Sequence, residues 1–467
     1  MPQKLELPHF FPVTCHTKYV GLGSTFVVIK GQNTDGLRFI SEALSKGATT
    51  IVVERGVPLS GCIQKEIYAA GALCKTVHNT RVALATLSAE AAGYPAQKLK
   101  LLGITGTKGK TTTAFILKHL LQSVGKKVAL LSTVHNKINN TIFKAPLTTP
   151  QPDYLHQFFK LCVQEDIEYV VMETAAQATT FKRLEGLELD GLIFTNLDRE
   201  HGELYPTMQS YFKAKQSLCT YLKKDAHLLV NNDDEWGKKL LKKHLGKTFG
   251  QVKANYCFEL LCEYECDLNG NRFLFSTVPG LFNAYNVVAA VSLCLSLGLF
   301  LPDLEKGLLS IPKIPGRLEE YKLKKGVRAF IDYAHTPASF KALFETVQEW
   351  TDHITVVFGA GGGKDHDKRP LMGNIAGRLT NTVIVTTDNP RFEDPQIIAD
   401  QIVAGIEQED LCKVIVLLDR AAAIKKALEL TPSKGVILLL GKGPDEYQII
   451  QDQKIPFHEK LLLLGQI

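Results

Sequence analysis

The stretch LKLLGITGTKGKTTTAFILKHLLQSVG, Leu99 to Gly125, decides how this chain folds. An apolar run is followed by a loop carrying Gly106 and Gly109, and then by a segment whose apolar residues recur at helical spacing, so it reads as strand, glycine-rich loop and helix. Glycines let backbone N–H groups turn inward around a phosphate, and the helix N-terminus adds its positive end. Lys110 is placed to reach the outer phosphate oxygens and Thr111 to ligate magnesium. The loop is shorter than the full GxxxxGK[ST] pattern, and a Gly/Thr-rich surface turn is its ordinary alternative. The strand-loop-helix setting favours ATP binding, with Gly106, Thr107, Lys108, Gly109, Lys110, Thr111 and Thr112 as the candidates.

Outward from this unit the same alternation continues. Upstream, TFVVIKG, FISEALSKGA and TTIVVE form strand, helix and strand between Thr25 and Glu54. Downstream, strands are expected at KVALLST, Glu168 to Met172, Gly191 to Thr195 and His227 to Asn231. After the break at Pro315-Gly316 come RAFIDYA, ITVVFGA, NTVIVTTD, KVIVLLD and GVILLLG, near-continuous apolar runs separated by helices. Such runs belong to parallel sheets covered on both faces, the last of them doubly wound. The expectation is an α/β chain of three domains: 1–97, a small α/β domain; 98–312, a P-loop-type domain with a mainly parallel sheet; and 313–467, a Rossmann-like domain.

Bulk composition agrees. At 467 residues, 45% hydrophobic and 22% charged, the chain has the length of about three domains of ~150 residues. A net charge of +6, spread along the chain, does not imply a nucleic-acid partner. The ten cysteines are scattered, and Cys257, Cys262 and Cys266 lack the companions of a zinc site, so reduced thiols are expected. No signal peptide is apparent, and the run from Val287 to Leu301 is too short to cross ~30 Å of hydrocarbon and reads as a buried helix. The expected protein is cytoplasmic, monomeric and not inserted in a membrane.

The ordered motifs resemble those of the Mur ligases. Besides GTKGKT they are TTP at Thr148 to Pro150, MET at Met172 to Thr174, FTNLDREH at Phe194 to His201, YFKAK ending at Lys215, NNDDE at Asn231 to Glu235 and GLFNAYNVVAA at Gly280 to Ala290. PGRLE at Pro315 to Glu319, DYAHTP at Asp332 to Pro337, GKDHDKRPLMG at Gly363 to Gly373, DNPRFEDP at Asp388 to Pro395 and GKGPDEYQ at Gly441 to Gln448 complete the series. The resemblance implies that the first domain takes a UDP-sugar, the second ATP and the third an amino acid. It implies a two-step acyl transfer: ATP phosphorylates a carboxylate, and an amine attacks the acyl phosphate.

By resemblance, Lys110 meets phosphate, Thr111 and Glu173 hold magnesium, and His201 lies near a second magnesium placed with the help of a carbamate on Lys215. Asn286 matches a position contacting adenine, while Arg317 and Asp332 match residues that reach the nucleotide. Thr148, Thr149 and Arg183 fall on the muramoyl-peptide side. The DNPR turn points to meso-diaminopimelate as the amine, because an arginine fork suits its distal carboxylate. Asn389 and Arg391 are the specificity candidates, with Lys364, Asp388, Pro390, Gly441 and Asp445 around them. Each has a plain alternative: Glu173 capping a strand end, His201 a loop histidine, Lys215 a solvated helix lysine, Arg317 and Asp332 ordinary hinge and strand-end residues, and DNPR a turn with a solvated arginine.

Departures from the family pattern are concrete. CHTK at Cys15 to Lys18 stands where DSR is usual, and ETAAQ at Glu173 to Gln177 keeps the carboxylate of an acidic-Ser-Ser-His run but loses the hydroxyls and the imidazole. Glu200 replaces Asp, Lys364 replaces Arg, His366 replaces Lys, and Pro444-Asp445-Glu446 replaces His-Glu-Asp. The expected function is the addition of meso-diaminopimelate to a UDP-muramoyl dipeptide, in peptidoglycan synthesis. The alternatives are a ligase using lysine or a folate-like acceptor, and a degenerate nucleotide-binding module.

Overall fold

Apolar runs between helices become buried parallel strands throughout the computed structural model, which describes residues 5–31, 34–363 and 365–466. Lys364 lies outside the described residues. The chain divides into two compact units: one takes the chain through Glu259 with Cys266–Leu274 and Tyr285–Leu309, the other Leu260–Glu265, Phe275–Ala284 and the chain from Ser310 onward.

The first unit holds two sheets. Val13–Thr14, Thr25–Val27, Thr50–Glu54 and Leu73–Val77 pair in parallel in chain order. Phe26, Ile40, Ile51, Val53 and Ile67 fill one side, and Val13, Val27 and Val52 meet Ala83 and Leu84 on the other. Those two alanine and leucine side chains belong to the helix Thr80–Ala92, which Asn79 caps by accepting from the N–H groups of Arg81 and Val82.

The second sheet has eleven strands. Its centre runs Lys247–Gly250, Leu222–Asn231, Leu189–Phe194, Lys100–Thr105, Tyr169–Glu173 and Val128–Leu131, all parallel. The sequence places five of these strands within a few residues but misses Lys247–Gly250, the strands from there to Leu274, and the hairpin His135–Ile138 with Thr141–Lys144. The apolar run Val287 to Leu301 is not one helix. Leu281–Ser296 stops ahead of Gly298, whose φ is +88°, and Leu301–Leu308 restarts with Pro302 in its first turn. Among the described residues no helix is long and apolar enough to cross a membrane.

In the second unit the order is Glu319–Lys322, Arg328–Asp332, Val436–Leu440, Ile354–Phe358, Thr382–Val385 and Val414–Val416. The first pair is antiparallel and the others are parallel. Separate cores cover the two faces, one around Phe330, Phe340, Val356 and Leu438 and one around Ile331, Val357, Ile424 and Leu439. This is the doubly wound sheet expected, and its loops after Asp332, Phe358, Val385 and Leu440 share one end.

A buried ion pair locks that end. Arg420 Nε donates to Glu459 Oε1 at 2.7 Å and its NH2 to the carbonyl of Leu440 at 2.9 Å, with both residues almost fully enclosed. Removing one partner strands the other charge, so Arg420→Met should cost about 3–5 kcal/mol in urea denaturation, while Arg420→Met with Glu459→Leu should recover most of it.

Candidate functional site

The strand Lys100–Thr105 leads into the glycine loop, and Gly109, with φ +82°, is the N-cap of the helix Lys110–Ser123. Two glycines are required by contact as well as by conformation. A Cβ on Gly106, φ +150°, would collide with Thr195 Oγ1, and one on Gly109 with Asn286 Oδ1. The loop following the neighbouring strand Leu189–Phe194 braces it: Thr195 Oγ1 donates to Lys108 O at 2.7 Å, Lys108 N–H donates to Asn196 Oδ1 at 2.8 Å, and Thr107 N–H donates to Asn196 O at 3.0 Å. Lys110 folds back so that Nζ donates to the carbonyls of Gly106 and Thr107, both at 2.9 Å. Thr112 is buried behind the loop. Asn286, on the helix Leu281–Ser296, accepts from Thr113 Oγ1 at 3.2 Å and so sits against the start of the loop helix.

Glu173 ends the strand Tyr169–Glu173, beside Ile104 in the sheet. Its Oε1 accepts from Thr111 Oγ1 at 2.9 Å and from Thr133 N–H at 2.8 Å, and its Oε2 accepts from Thr133 Oγ1 at 3.1 Å. Thr133 Oγ1 also meets Thr148 Oγ1 at 3.1 Å. Thr149 Oγ1 donates to the Glu173 carbonyl at 2.8 Å, and Arg183 NH1 donates to Thr149 O at 2.9 Å. Burial draws the Arg183 pKa down to about 10, helped by Arg81. A hydroxyl and a carboxylate in contact are hard oxygen donors, the set a magnesium ion takes.

Lys215 is no solvated helix lysine. It lies at the buried end of the helix Met208–Gln216, which a capping box at Thr207 and Ser210 starts, and Nζ donates to Gly106 O at 2.8 Å. Complete burial holds its pKa well below that of an ordinary lysine, and the charge of Lys110 pushes it the same way. Tyr211 spans the space: Lys215 Nζ lies 4.7 Å from its ring centroid, and His201 packs edge-on at 6.0 Å. His201 sits in the left-handed region, φ +58°, with Nδ1 3.4 Å from Glu203 Oε1, and burial lowers its pKa. Among the described residues no three His, Cys, Asp or Glu converge as a ready metal cluster.

The second unit gathers its own set. Asp332 Oδ1 and Oδ2 accept from the N–H groups of Ala334 and Leu318, each at 2.7 Å; burial raises its pKa while Arg317 pulls it back. The Arg317 guanidinium stands 4.9 Å from the Tyr333 ring centroid. Asn389 Oδ1 accepts from Ile449 N–H at 2.9 Å, and Arg391, φ +54°, donates through NH1 to Gly362 O at 2.9 Å. Pro390 O accepts from Glu393 N–H at 3.1 Å. Gly441, φ +101°, faces Asp388, and Asp445, whose pKa burial raises, closes its turn by donating its N–H to Lys442 O. Two candidates, His201 and Arg391, thus hold left-handed backbone at a cost of about 1–3 kcal/mol, a strain found preferentially at functional sites.

Sequence reasoning missed three contributors. Thr133 ends the apolar run KVALLST outside any motif, and Asn196 and Lys442 lay inside quoted motifs with no assigned role. Only the last carried a signal, its place between Gly441 and Gly443.

Profile comparison matches residues 104–294 to the Mur ligase middle domain and residues 316–443 to the Mur ligase glutamate ligase domain. The chain is 34% identical over 458 residues to a UDP-N-acetylmuramoyl-L-alanyl-D-glutamate–2,6-diaminopimelate ligase of Clostridium botulinum, covering 94% of this chain and 91% of that one. It is 35% identical over 455 residues to the protein of the same name from Clostridium perfringens, covering 94% and 91%. A solved structure of a ligase of that name superposes with a TM-score of 0.65 at 25% identity, over 98% of this chain and 94% of that chain.

A methyl on Gly109 needs left-handed backbone, worth about 1–2 kcal/mol, and displaces Asn286. Gly109→Ala should therefore weaken nucleoside triphosphate binding at least tenfold in calorimetric titration, with thermal unfolding shifted by only a few degrees.

Proposed function

The chain belongs to the Mur ligase family, and from that membership we propose that it is an ATP-dependent ligase that joins meso-diaminopimelate to UDP-N-acetylmuramoyl-L-alanyl-D-glutamate in peptidoglycan synthesis. The observation that carries the choice of amine is the Asn389-Pro390-Arg391 turn, in a chain similar along nearly its whole length to diaminopimelate ligases. We assign residues 1–97 to the UDP-sugar, 98–312 to ATP and 313–467 to the amino acid, in a monomer working in the cytoplasm and serving cell shape and division.

The roles are those the family resemblance implies, with charge and burial in their support. ATP delivers its terminal phosphoryl group to the acceptor carboxylate; the resulting acyl phosphate is attacked by the amine, which loses a proton as phosphate leaves. Backbone N–H groups of the loop from Gly106 to Thr112, with Lys110, meet the phosphates, and Asn286, Arg317 and Asp332 meet the nucleoside. Thr149 and Arg183 face the acceptor, with Thr148 beside them. Thr111 and Glu173 would hold magnesium, which when bound neutralises charge on the transferring phosphoryl oxygens. His201 and Lys215 would serve a second ion. Burial favours the neutral amine of Lys215, the form that adds carbon dioxide, and a carbamate there would supply the oxygens a hard cation requires. In the third domain, Asn389 and Arg391 recognise the distal end of the amine, with Asp388, Pro390, Gly441 and Asp445 shaping the pocket. Lys364, by its place in the sequence, joins them.

Phosphate release from ATP with magnesium and the UDP-muramoyl dipeptide should depend on added meso-diaminopimelate and stay near background with lysine. Release with lysine instead would redirect the specificity, and release with neither would favour a nucleotide-binding module. Arg391→Ala should raise KM for diaminopimelate about a hundredfold, as loss of a bidentate charge-assisted contact of roughly 3 kcal/mol requires. Lys215→Arg, which cannot form a carbamate, should lower kcat at least a hundredfold, and the bicarbonate dependence of the wild type should disappear with it.

A further inference from the structure

Lys442 has no exposed surface, although it follows the strand Val436–Leu440 on a glycine-flanked turn. Its ammonium donates to the carbonyl of Tyr447 and, at 3.5 Å, to Asn389 Oδ1, and it lies 3.7 Å from Asp388 Oδ1. That carboxylate oxygen is buried and has no hydrogen-bond partner among the described residues. An ammonium has three donors and no acceptor, so its partners dictate where it sits. Here they come from two loops. Asn389 extends the connection to a third: its Oδ1 also accepts from Ile449 N–H at 2.9 Å, and its carbonyl accepts from Gly362 N–H at 2.9 Å.

The loops after three neighbouring parallel strands, Ile354–Phe358, Thr382–Val385 and Val436–Leu440, are therefore tied around one cation. Arg391 is carried by this knot. Its N–H donates to Ile449 O at 3.1 Å, its carbonyl accepts from Gln451 N–H at 2.7 Å, and its guanidinium reaches Gly362 O. Burial lowers the Lys442 pKa and Asp388 raises it again, as expected of a cation kept by its carboxylate.

We propose that Lys442 is a positioning residue for the amine substrate: from inside the fold it clamps the Asp388–Arg391 turn to the turn that follows it in sequence, and so fixes the aim of Asn389 and Arg391. It is too enclosed to meet the substrate. This role rests on the reading that the pocket receives diaminopimelate.

Lys442→Met keeps most of the length of the side chain and removes the cation. KM for diaminopimelate should rise at least tenfold while KM for ATP moves less than twofold, and Lys442→Gln, which keeps N–H donors for Tyr447 and Asn389, should fall between. Hydrogen exchange on the full-length variant gives a readout independent of the amine. Peptides covering 387–393 and 447–451 should exchange at least tenfold faster, with the strand Thr382–Val385 unchanged. Unchanged exchange in those peptides with unchanged KM overturns the proposal, and so does loosening spread through the whole unit. Should the wild type prove inactive with diaminopimelate, that reading fails separately, and the exchange result alone decides the clamp: local loosening upholds it, and no loosening ends it.

Discussion

The carbonyl of Gly106 accepts hydrogen bonds from two lysines, Lys110 at 2.9 Å and Lys215 at 2.8 Å. Two ammonium groups cannot share so small a space in a low dielectric, since their repulsion adds to the cost of desolvating each. Lys215 is fully enclosed, and its pKa falls. A glycine loop that must bend tightly, a lysine that folds over it and a second lysine brought in 109 residues later thus form one electrostatic unit. The collision of any Cβ at Gly106 with Thr195 shows how little slack it has. The bracing from Thr195, Asn196 and Asp198 matters because it fixes the carbonyl on which both amines depend.

Parallel topology makes such a unit buildable. Thr105, Glu173 and Phe194 end neighbouring strands in register, so the phosphate loop, the carboxylate and the bracing loop emerge side by side without any long excursion. Asn231, at the end of the next strand, donates to Thr195 O at 2.9 Å and carries the bracing one strand further. The second unit repeats the arrangement with other chemistry, its loops after Phe358, Val385 and Leu440 tied by Lys442 and supported from beneath by Arg420 and Glu459.

What was legible in the residues was whatever is encoded locally. Runs such as YVVM and GVILLL are apolar without alternation, and their strands lie where they were read. Strands such as KTFG, ECDL and NRFL are four residues long and half polar, so they carry neither pattern. The hairpin at His135–Lys144 turns at Asn139, whose φ of +51° is a signal only once its flanking strands are known. Long-range contacts escaped for the same reason. Thr133 reaches Glu173 across forty residues and Lys442 reaches Asn389 across fifty-three, and neither spacing follows from any local rule.

Two departures from the family pattern lie beside side chains that pin the backbone. Beside ETAAQ, where alanines stand in place of the two serines, Thr149 Oγ1 donates to Glu173 O and accepts from Ala175 N–H at 3.0 Å, so the backbone at the strand end is pinned. Where CHTK lacks an aspartate, the buried Asp153 of another element accepts from Thr14 Oγ1 at 2.8 Å and Cys15 N–H at 3.2 Å. Burial raises the Asp153 pKa and those donors pull it back, the balance of a carboxylate used as an anchor. At Gly106 and Gly109 the loop is held by backbone atoms and by the space that only a residue without a Cβ leaves, so any side chain there meets Thr195 or Asn286.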